Sequence, residues 1–598
     1  MNQKILFPVF ASMMFFYSFS QELRTISWGG VTTPLYNDSL PSLLDFNGSI
    51  HNSSVSQNNL YFEKIPISNK NVDVNIFDVV YFNANSSELP YIYKGELTEQ
   101  LKYHYYVATE QKQHYLFLYV IPFRKTGGLI QKVKEFKIEV DVLDSHIAKQ
   151  PKQTVNNSVL STGSWYKIGV NETGLHKIDG SFLTSMGIDI TNINPENIRL
   201  YGNKAGMLEE GLFEIDDLLE IAITVVNQGD NSFDANDYIL FFGQSPDVWS
   251  YDGNQFIHKK NIYTDMTYYF LSFDMGPGKR IETIPHNYIF NDPNNPAPIS
   301  SYDKYFVHEQ DNINLVSTGR QWFGESFAFD YYQNFNTPSW NQDSLLFTGH
   351  FAARSSIPVS FSIDKGSYNI ATAYIPAVPS SSNDYYKSTL IEQGFINSNS
   401  SNISLTFNNN GNSSALAWLD YFTLQGRSDD FNVTSNSHFL LRDTKSVSEG
   451  SLTSFEFYKS SSDYSFTVYD VTDPLNIKRQ LLASSDLQSA FKTNTSYLKE
   501  FLVYASNPFT PEPIGLISNQ NIHGAIQPNY IIVTHPNFLN AANRLKDYHI
   551  NTNNQNVLLV TTDQVYNEFS TGSQDISAIR NMVKMFYDRS DNLSDIPL

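Results

Sequence analysis

From residue 22 to about 150, polar and apolar residues alternate over short runs, as in Tyr115-Leu-Phe-Leu-Tyr-Val-Ile and Phe136-Lys-Ile-Glu-Val-Asp-Val. Period-two alternation predicts strands with one wet face. Residues 148–164, with Pro151 and many Ser, Thr and Asn, read as a linker. Alternation resumes on both sides of an Asn-Glu-Thr-Gly turn at 171–174, and a short helix is expected from Ser181 to Met186. Further strands are expected at Ile198-Arg-Leu-Tyr and Asp237-Tyr-Ile-Leu-Phe-Phe. From about 325 to 427 the pattern is β throughout, with turn residues at intervals typical of sandwiches. A last β-type unit covers 428–525, and Pro508, Pro511 and Pro513 mark a link beyond it.

The period changes after Asn529. Tyr530-Ile-Ile-Val-Thr is apolar on both faces, which suits a buried parallel strand. Pro536 opens a helix whose apolar positions are Phe538, Leu539, Ala542 and Leu545, and a second buried-type strand follows at Val557 to Thr561. Strand, helix, strand requires a crossover, right-handed in almost all proteins. A further helix is expected to be capped by Asp575, with Ile576, Ile579, Val583 and Phe586 as its stripe and Lys584 and Arg589 towards its negative end. The fold class read from these patterns is mainly β: tandem β-rich, sandwich-like domains followed by the first β-α-β-α portion of an α/β domain. The boundaries are 21–150, 163–300, 301–427, 428–525 and 529–598. Two parallel strands leave a sheet edge open, so the α/β unit is expected to be incomplete, continuing beyond Leu598.

Composition narrows the setting. Residues 1–20 have a charged start at Lys4, an apolar stretch from Ile5 to Phe19 and a Ser-Phe-Ser site before Gln21, which predicts an export signal cleaved there. The stretch falls short of the roughly 20 apolar residues that span a bilayer. Cysteine is absent, so disulfides and thiolate chemistry within these residues are excluded. The formal charge of −21, without a long basic run, argues against a nucleic-acid surface.

Three phrases carry a family likeness: Tyr530-Ile-Ile-Val-Thr-His-Pro-Asn-Phe-Leu, Val560-Thr-Thr-Asp-Gln-Val-Tyr-Asn-Glu-Phe-Ser-Thr-Gly and Asp575-Ile-Ser-Ala-Ile-Arg-Asn-Met-Val-Lys-Met-Phe-Tyr-Asp-Arg. They resemble the opening of the gingipain/caspase-like peptidase domain in the gingipain family of cysteine peptidases, in its PorU-like branch. Further patches, strongest at 312–327 and 464–480 and reaching back to about 163, resemble the segment ahead of that domain. The resemblance implies a cell-surface, outer-membrane sortase of the type IX secretion system. Its implied partners are secreted cargo proteins with C-terminal sorting signals and outer-membrane secretion components. The family's catalytic Cys and His lie further along the domain, so no catalytic residue maps here and the present chain is expected to be inactive.

His535 follows a strand tip, where α/β enzymes keep functional groups, but it has no Cys to serve and reads as structural; His549 reads as an ordinary residue near a helix end. The Ser elbow, the His-Glu-x-x-His helix and the phosphate loop are absent, and His308-Glu309 reads as a solvated turn. Asp230, Asp234 and Asp237 lie close together in one loop and are a calcium candidate; Asp and Asn are also simply good turn formers. Trp165, Trp249, Trp322, Trp340 and Trp418 read as core, with a sugar-stacking face as the alternative. The rival to the peptidase reading is a non-catalytic surface protein whose sandwiches recognise a polysaccharide or a secretion partner.

Overall fold

The structure, a computed structural model, describes residues 23–590 apart from 33–41, 53–54, 68–71, 111–112, 143–154, 212–216, 339, 341–343 and 397–399. The expected export signal and its cleavage point before Gln21 lie outside the described residues. Strands dominate, and the chain falls into two units: Met1–Gln153 with Asp252–Asn254, and Thr154–Tyr251 with Gln255–Leu598.

In the first unit, one antiparallel sheet joins Leu23–Thr25, Leu129–Val142, Val72–Asn83 and Phe123–Thr126. Another joins Ser49–Ile50, Leu60–Ile67, Gln113–Val120 and Tyr103–Glu110. Leu116, Leu118 and Val120 enter the core at the strand period. Val133 and Phe136 both point inward although they are three residues apart, because the ladder shifts register between Val133 and Lys137. A bulge of this kind resets the phase of every later side chain.

The second unit contains three β assemblies and the α/β segment. The first assembly pairs the sheet Leu219–Ile221, Arg199–Gly202, Thr267–Ser272, Trp165–Val170, Glu512–Ile517 with a three-stranded sheet of Gly174–Asp179, Tyr238–Gly243 and Thr224–Val226. Ile168, Leu200, Ile221, Ile239 and Phe241 form its core. The middle assembly is a sandwich of two four-stranded sheets, closed around Phe327, Phe347, Phe351, Phe361 and Phe422. In the third, Phe455, Val468, Phe491, Phe501 and Val503 are the centre.

Two strands cross the boundaries that turn chemistry suggests. Glu282–Ile284 pairs in parallel with Lys478–Gln480, far along the chain. Glu512–Ile517, inside the proline-marked link, pairs with Trp165–Val170 as the edge strand of the first assembly. Pro513 is tolerated there because an edge strand need not donate on its outer side, and the register shifts at the opposite position. His308-Glu309 is the end of the strand Tyr302–Glu309 rather than a solvated turn. His308 Nε2 meets Glu325 Oε1 at 2.7 Å and its ring packs on Phe335 and Phe422, while Glu309 faces His258 Nδ1 at 2.9 Å. Trp165, Trp340 and Trp418 are buried, and Trp249 stacks on Tyr305 with ring centroids 4.0 Å apart. Trp322 is exposed.

The α/β segment consists of β1 (Tyr530–Thr534), α1 (Leu539–Asn553), β2 (Val557–Thr561), α2 (Thr562–Phe569) and α3 (Ser577–Arg589). Strands β1 and β2 are parallel and in register from Tyr530↔Val557 to Thr534↔Thr561, as the patterning predicts. The helices depart from it. On α1 only Ala542 is buried, and Phe538, Leu539 and Leu545 are exposed. Helix α3 turns Ala578, Asn581, Met582, Met585 and Phe586 inward and leaves Ile576 and Val583 exposed, so its buried face is rotated from the expected stripe. The cause is its packing against Val560, Val565, Phe569 and Ile522, where unbranched Met582 and Met585 fill the gap.

Candidate functional site

Helix α2 lies outside the elements that the hydrophobic pattern predicts, although its start is written in the sequence. Thr561 Oγ1 accepts from Gln564 N at 3.3 Å and Gln564 Oε1 accepts from Thr561 N at 2.9 Å, a Thr-x-x-Gln capping box. The helix ends in the loop 570–575, which is the family-like Ser-Thr-Gly phrase. Thr571 at φ 55° and Gly572 at φ 80° both lie in the left-handed region. For a β-branched residue that conformation is strained. Thr571 is held in it by Asn203, whose Nδ2 donates to Thr571 Oγ1 at 2.9 Å. Gly572 is required twice over, since an added Cβ would also lie 2.5 Å from Lys167 Nζ.

This loop fastens the α/β segment to the first β assembly. Lys167 Nζ donates to Gly572 O at 2.8 Å and lies 4.0 Å from the ring centroid of Tyr268. Burial lowers its ammonium from 10.5 to about 8, a trend that Asp563 opposes. Asp575, buried, accepts from Ser577 N and from Leu208 N, each at 2.8 Å, so one carboxylate braces the entry to α3, whose N-cap position is Ile576 rather than the expected Asp575, and holds the β assembly. Arg580 donates to Glu209 O at 2.7 Å and Glu210 O at 2.6 Å.

A second tie comes from the strap 519–525. Glu568 on α2 accepts from Gln520 Nε2, Ile522 N and His523 N, and its Oε2 is 2.6 Å from His523 Nδ1. Both side chains are 0% exposed, and the His523 ring stacks on Phe569. With four donors on one carboxylate, the burial of this pair is compensated locally. Nothing in the local sequence links His523 to Glu568, 45 positions apart.

As chemistry, the junction holds rather than reacts. His523 cannot reach a substrate. His535 caps the short turn after β1, its Nδ1 accepting from Asn537 N at 3.2 Å. His549 stacks on Tyr530 and meets Asn553 Nδ2 at 3.1 Å. No histidine of the α/β segment faces a nucleophile among the described residues. A cavity of about 20 Å³ sits at the junction, lined by residues that include Asn203, Asn261, Thr267, Phe569, Ser570 and Asp575. It admits a water-sized guest and no peptide.

The structure places the calcium candidates in the loop before the strand Tyr238–Gly243. Asp237 is buried and its Oδ2 accepts from Asp234 N at 2.8 Å; Asp230 Oδ1 accepts from Ser232 N at 3.1 Å; Asp234 Oδ2 accepts from Ser232 Oγ at 3.3 Å. All three brace their own turn. Among the described residues, no group of three or more His, Asp or Glu converges as metal ligands. No helix there is long and apolar enough to cross a membrane.

Residues 524–597 match the model of peptidase family C25. The dimeric latent PorU from Porphyromonas gingivalis, a crystal structure, superposes with a TM-score of 0.62 at 25% identity, covering 73% of this chain and 41% of that one. The chain thus spans well under two thirds of that relative's length. The insecticidal delta-endotoxin Cry8Ea1 from Bacillus thuringiensis is 11% identical over 40% of this chain and 43% of that chain, with a TM-score of 0.15. The infectious bursal disease virus VP2 particle is 8% identical over 81% of this chain and 92% of that chain, with a TM-score of 0.14. Neither of those two bears on fold or function. No curated protein sequence matches.

Proposed function

Because this chain is a PorU-like protein of the gingipain family, peptidase family C25, we propose that it is the scaffold and opening segment of a surface cysteine peptidase that processes the C-terminal sorting signals of secreted cargo. In this reading the protein is exported, acts at the outer membrane with type IX secretion components, and takes cargo polypeptides as its substrates. The observation that carries the reading is the docking of β1-α1-β2-α2-α3 on the β assembly through the Ser-Thr-Gly loop, Lys167 and Asp575. A peptidase domain fixed in this way presents its later elements at a defined place against the β domains, as positioning a nucleophile requires.

Acyl transfer in this class uses a thiolate that attacks and then leaves. These 598 residues contain no cysteine, so the thiol must come from outside them. The test compares residues 1–598 with a longer gene product on a peptide carrying a sorting-signal cleavage site, with and without a thiol alkylator. The expected result is alkylator-sensitive cleavage by the longer product and none by residues 1–598. Cleavage by residues 1–598 that survives alkylation would overturn the reading. Failure of every longer product to cleave would favour a surface binding protein instead.

A further inference from the structure

The junction cavity contains an imbalance of charge and of hydrogen bonding that the contacts above leave unresolved. Asp575 is 2% exposed and accepts only two backbone N–H groups, although a carboxylate offers about four acceptor sites. No Lys, Arg or His among the described residues forms an ion pair with it: the exposed Lys204 lines the same cavity, and the exposed Arg320, paired with Glu210, acts on Asp575 only through its charge. Two more buried oxygens at the same cavity lack partners, Asn203 Oδ1 and Thr267 Oγ1. The residues carrying them are 6% and 5% exposed. The orientation of the Asn203 amide is fixed, because its Nδ2 donates to the Asp217 carbonyl at 3.3 Å, a group that can only accept. Its oxygen is therefore the atom left over.

A water molecule in the roughly 20 Å³ available would satisfy the amide and hydroxyl oxygens but would leave the buried carboxylate with no cation in direct contact, only the exposed Arg320 acting on it without an ion pair, which is costly. We propose that the cavity formed by Asp575, Asn203 and Thr267 binds a hard metal cation that staples the α/β segment to the β assembly. The donors are a carboxylate, an amide oxygen and a hydroxyl, with no sulfur or imidazole, and that set selects calcium- or sodium-like ions over soft metals. The bound ion joins α3, through Asp575, to the segment 203–208 and to the strand Thr267–Ser272, three pieces that are distant in sequence. The proposal is independent of the peptidase reading, since it concerns docking and needs no thiol.

The test uses the full chain, stripped with chelator and then titrated separately with CaCl2, MgCl2, NaCl and choline chloride at matched ionic strength, while thermal unfolding is followed. Calcium, sodium or both should raise the melting temperature saturably, by roughly 5 °C at a hundredfold excess over Kd, and choline should not. Thr267→Val keeps the shape and removes one ligand. It should weaken cation affinity at least tenfold while leaving the chelator-treated protein as stable as wild type or more so. Asp575→Asn keeps an acceptor oxygen for the backbone but removes the charge, and should abolish the response. Should Asp575→Asn not fold, Thr267→Val decides alone. An absent response in wild type, an equal response with choline, or an undiminished response in Thr267→Val would each show that the cavity holds only water.

Discussion

Acidification should loosen the return of the chain onto the first β assembly, and His176 is the group through which it acts. The ring is 1% exposed, with centroids 5.3 Å from Phe241 and 5.4 Å from Phe509. Its Nδ1 lies 3.1 Å from Gly174 O and donates to it in the neutral form. Burial lowers the imidazole from 6.5 to about 4; the Gly174 carbonyl opposes this and His438, which also packs on Phe509, adds to it. Burial also lowers His438. A folded value below the unfolded one means that the unfolded chain binds the extra proton between those limits. The stability contribution is therefore complete above about pH 6.5 and is lost as pH falls towards about 4. The interval corresponds to roughly 3 kcal/mol. His176→Phe retains the stacking and removes the titration. At pH 7 it should cost about 1 kcal/mol for the hydrogen bond to Gly174. Its deficit relative to wild type should shrink and reverse as pH drops through this window. Urea unfolding from pH 4 to 7 on both proteins supplies the difference, and shared carboxylate titration cancels in it. Parallel curves would refute the assignment.

Gly572→Ala meets both a positive φ and Lys167, so it should destabilise the junction by roughly 2 kcal/mol and speed proteolysis within 519–590. Lys167 is a base held below its ordinary value, so the stability of the junction should rise as pH climbs from about 8 to 10.5; pH-dependent hydrogen exchange should show that rise in wild type and not in Lys167→Met. Glu568→Gln leaves His523 and the strap amides facing a neutral amide in a sealed site, with an expected loss of roughly 3 kcal/mol measurable by denaturant titration. Phe422→Ala, at the centre of the sandwich core, should cost roughly 3–5 kcal/mol and leave hydrogen exchange in α2 and α3 unchanged.

What the sequence made legible was local and periodic. The paired apolar runs at Tyr530–Thr534 and Val557–Thr561 announced parallel strands because burial on both faces removes polar alternation. The buried face of α3 differs from the expected stripe because Ile576 and Val583 are apolar yet exposed, while the inward face uses Ala578, Asn581 and Met582, which a hydrophobic count undervalues. The capping box at Thr561 and Gln564 is a local signal, but it lies outside the apolar periodicity that defines the neighbouring elements. Partnerships across long separations left no local trace: Glu282–Ile284 with Lys478–Gln480, and His523 with Glu568, could not be inferred from either partner's neighbourhood. The family-like Ser-Thr-Gly phrase could be recognised from the sequence, but its purpose required Lys167 and Asn203 to be seen against it.

The pairing of Glu512–Ile517 with Trp165–Val170 also sets an order of events during synthesis. A ribosome, or an export channel, delivers the chain from its amino end, so the strand Trp165–Val170 emerges roughly 350 residues before its edge partner. Until then one side of a five-stranded sheet remains an open template, and the third β assembly, whose His438 packs against the same Phe509, has no fixed neighbour there. Closing so long a loop adds only logarithmically to the entropy cost but delays folding. The first assembly to begin is thus among the last to finish, and the α/β segment reaches a completed platform only after residue 517 has arrived.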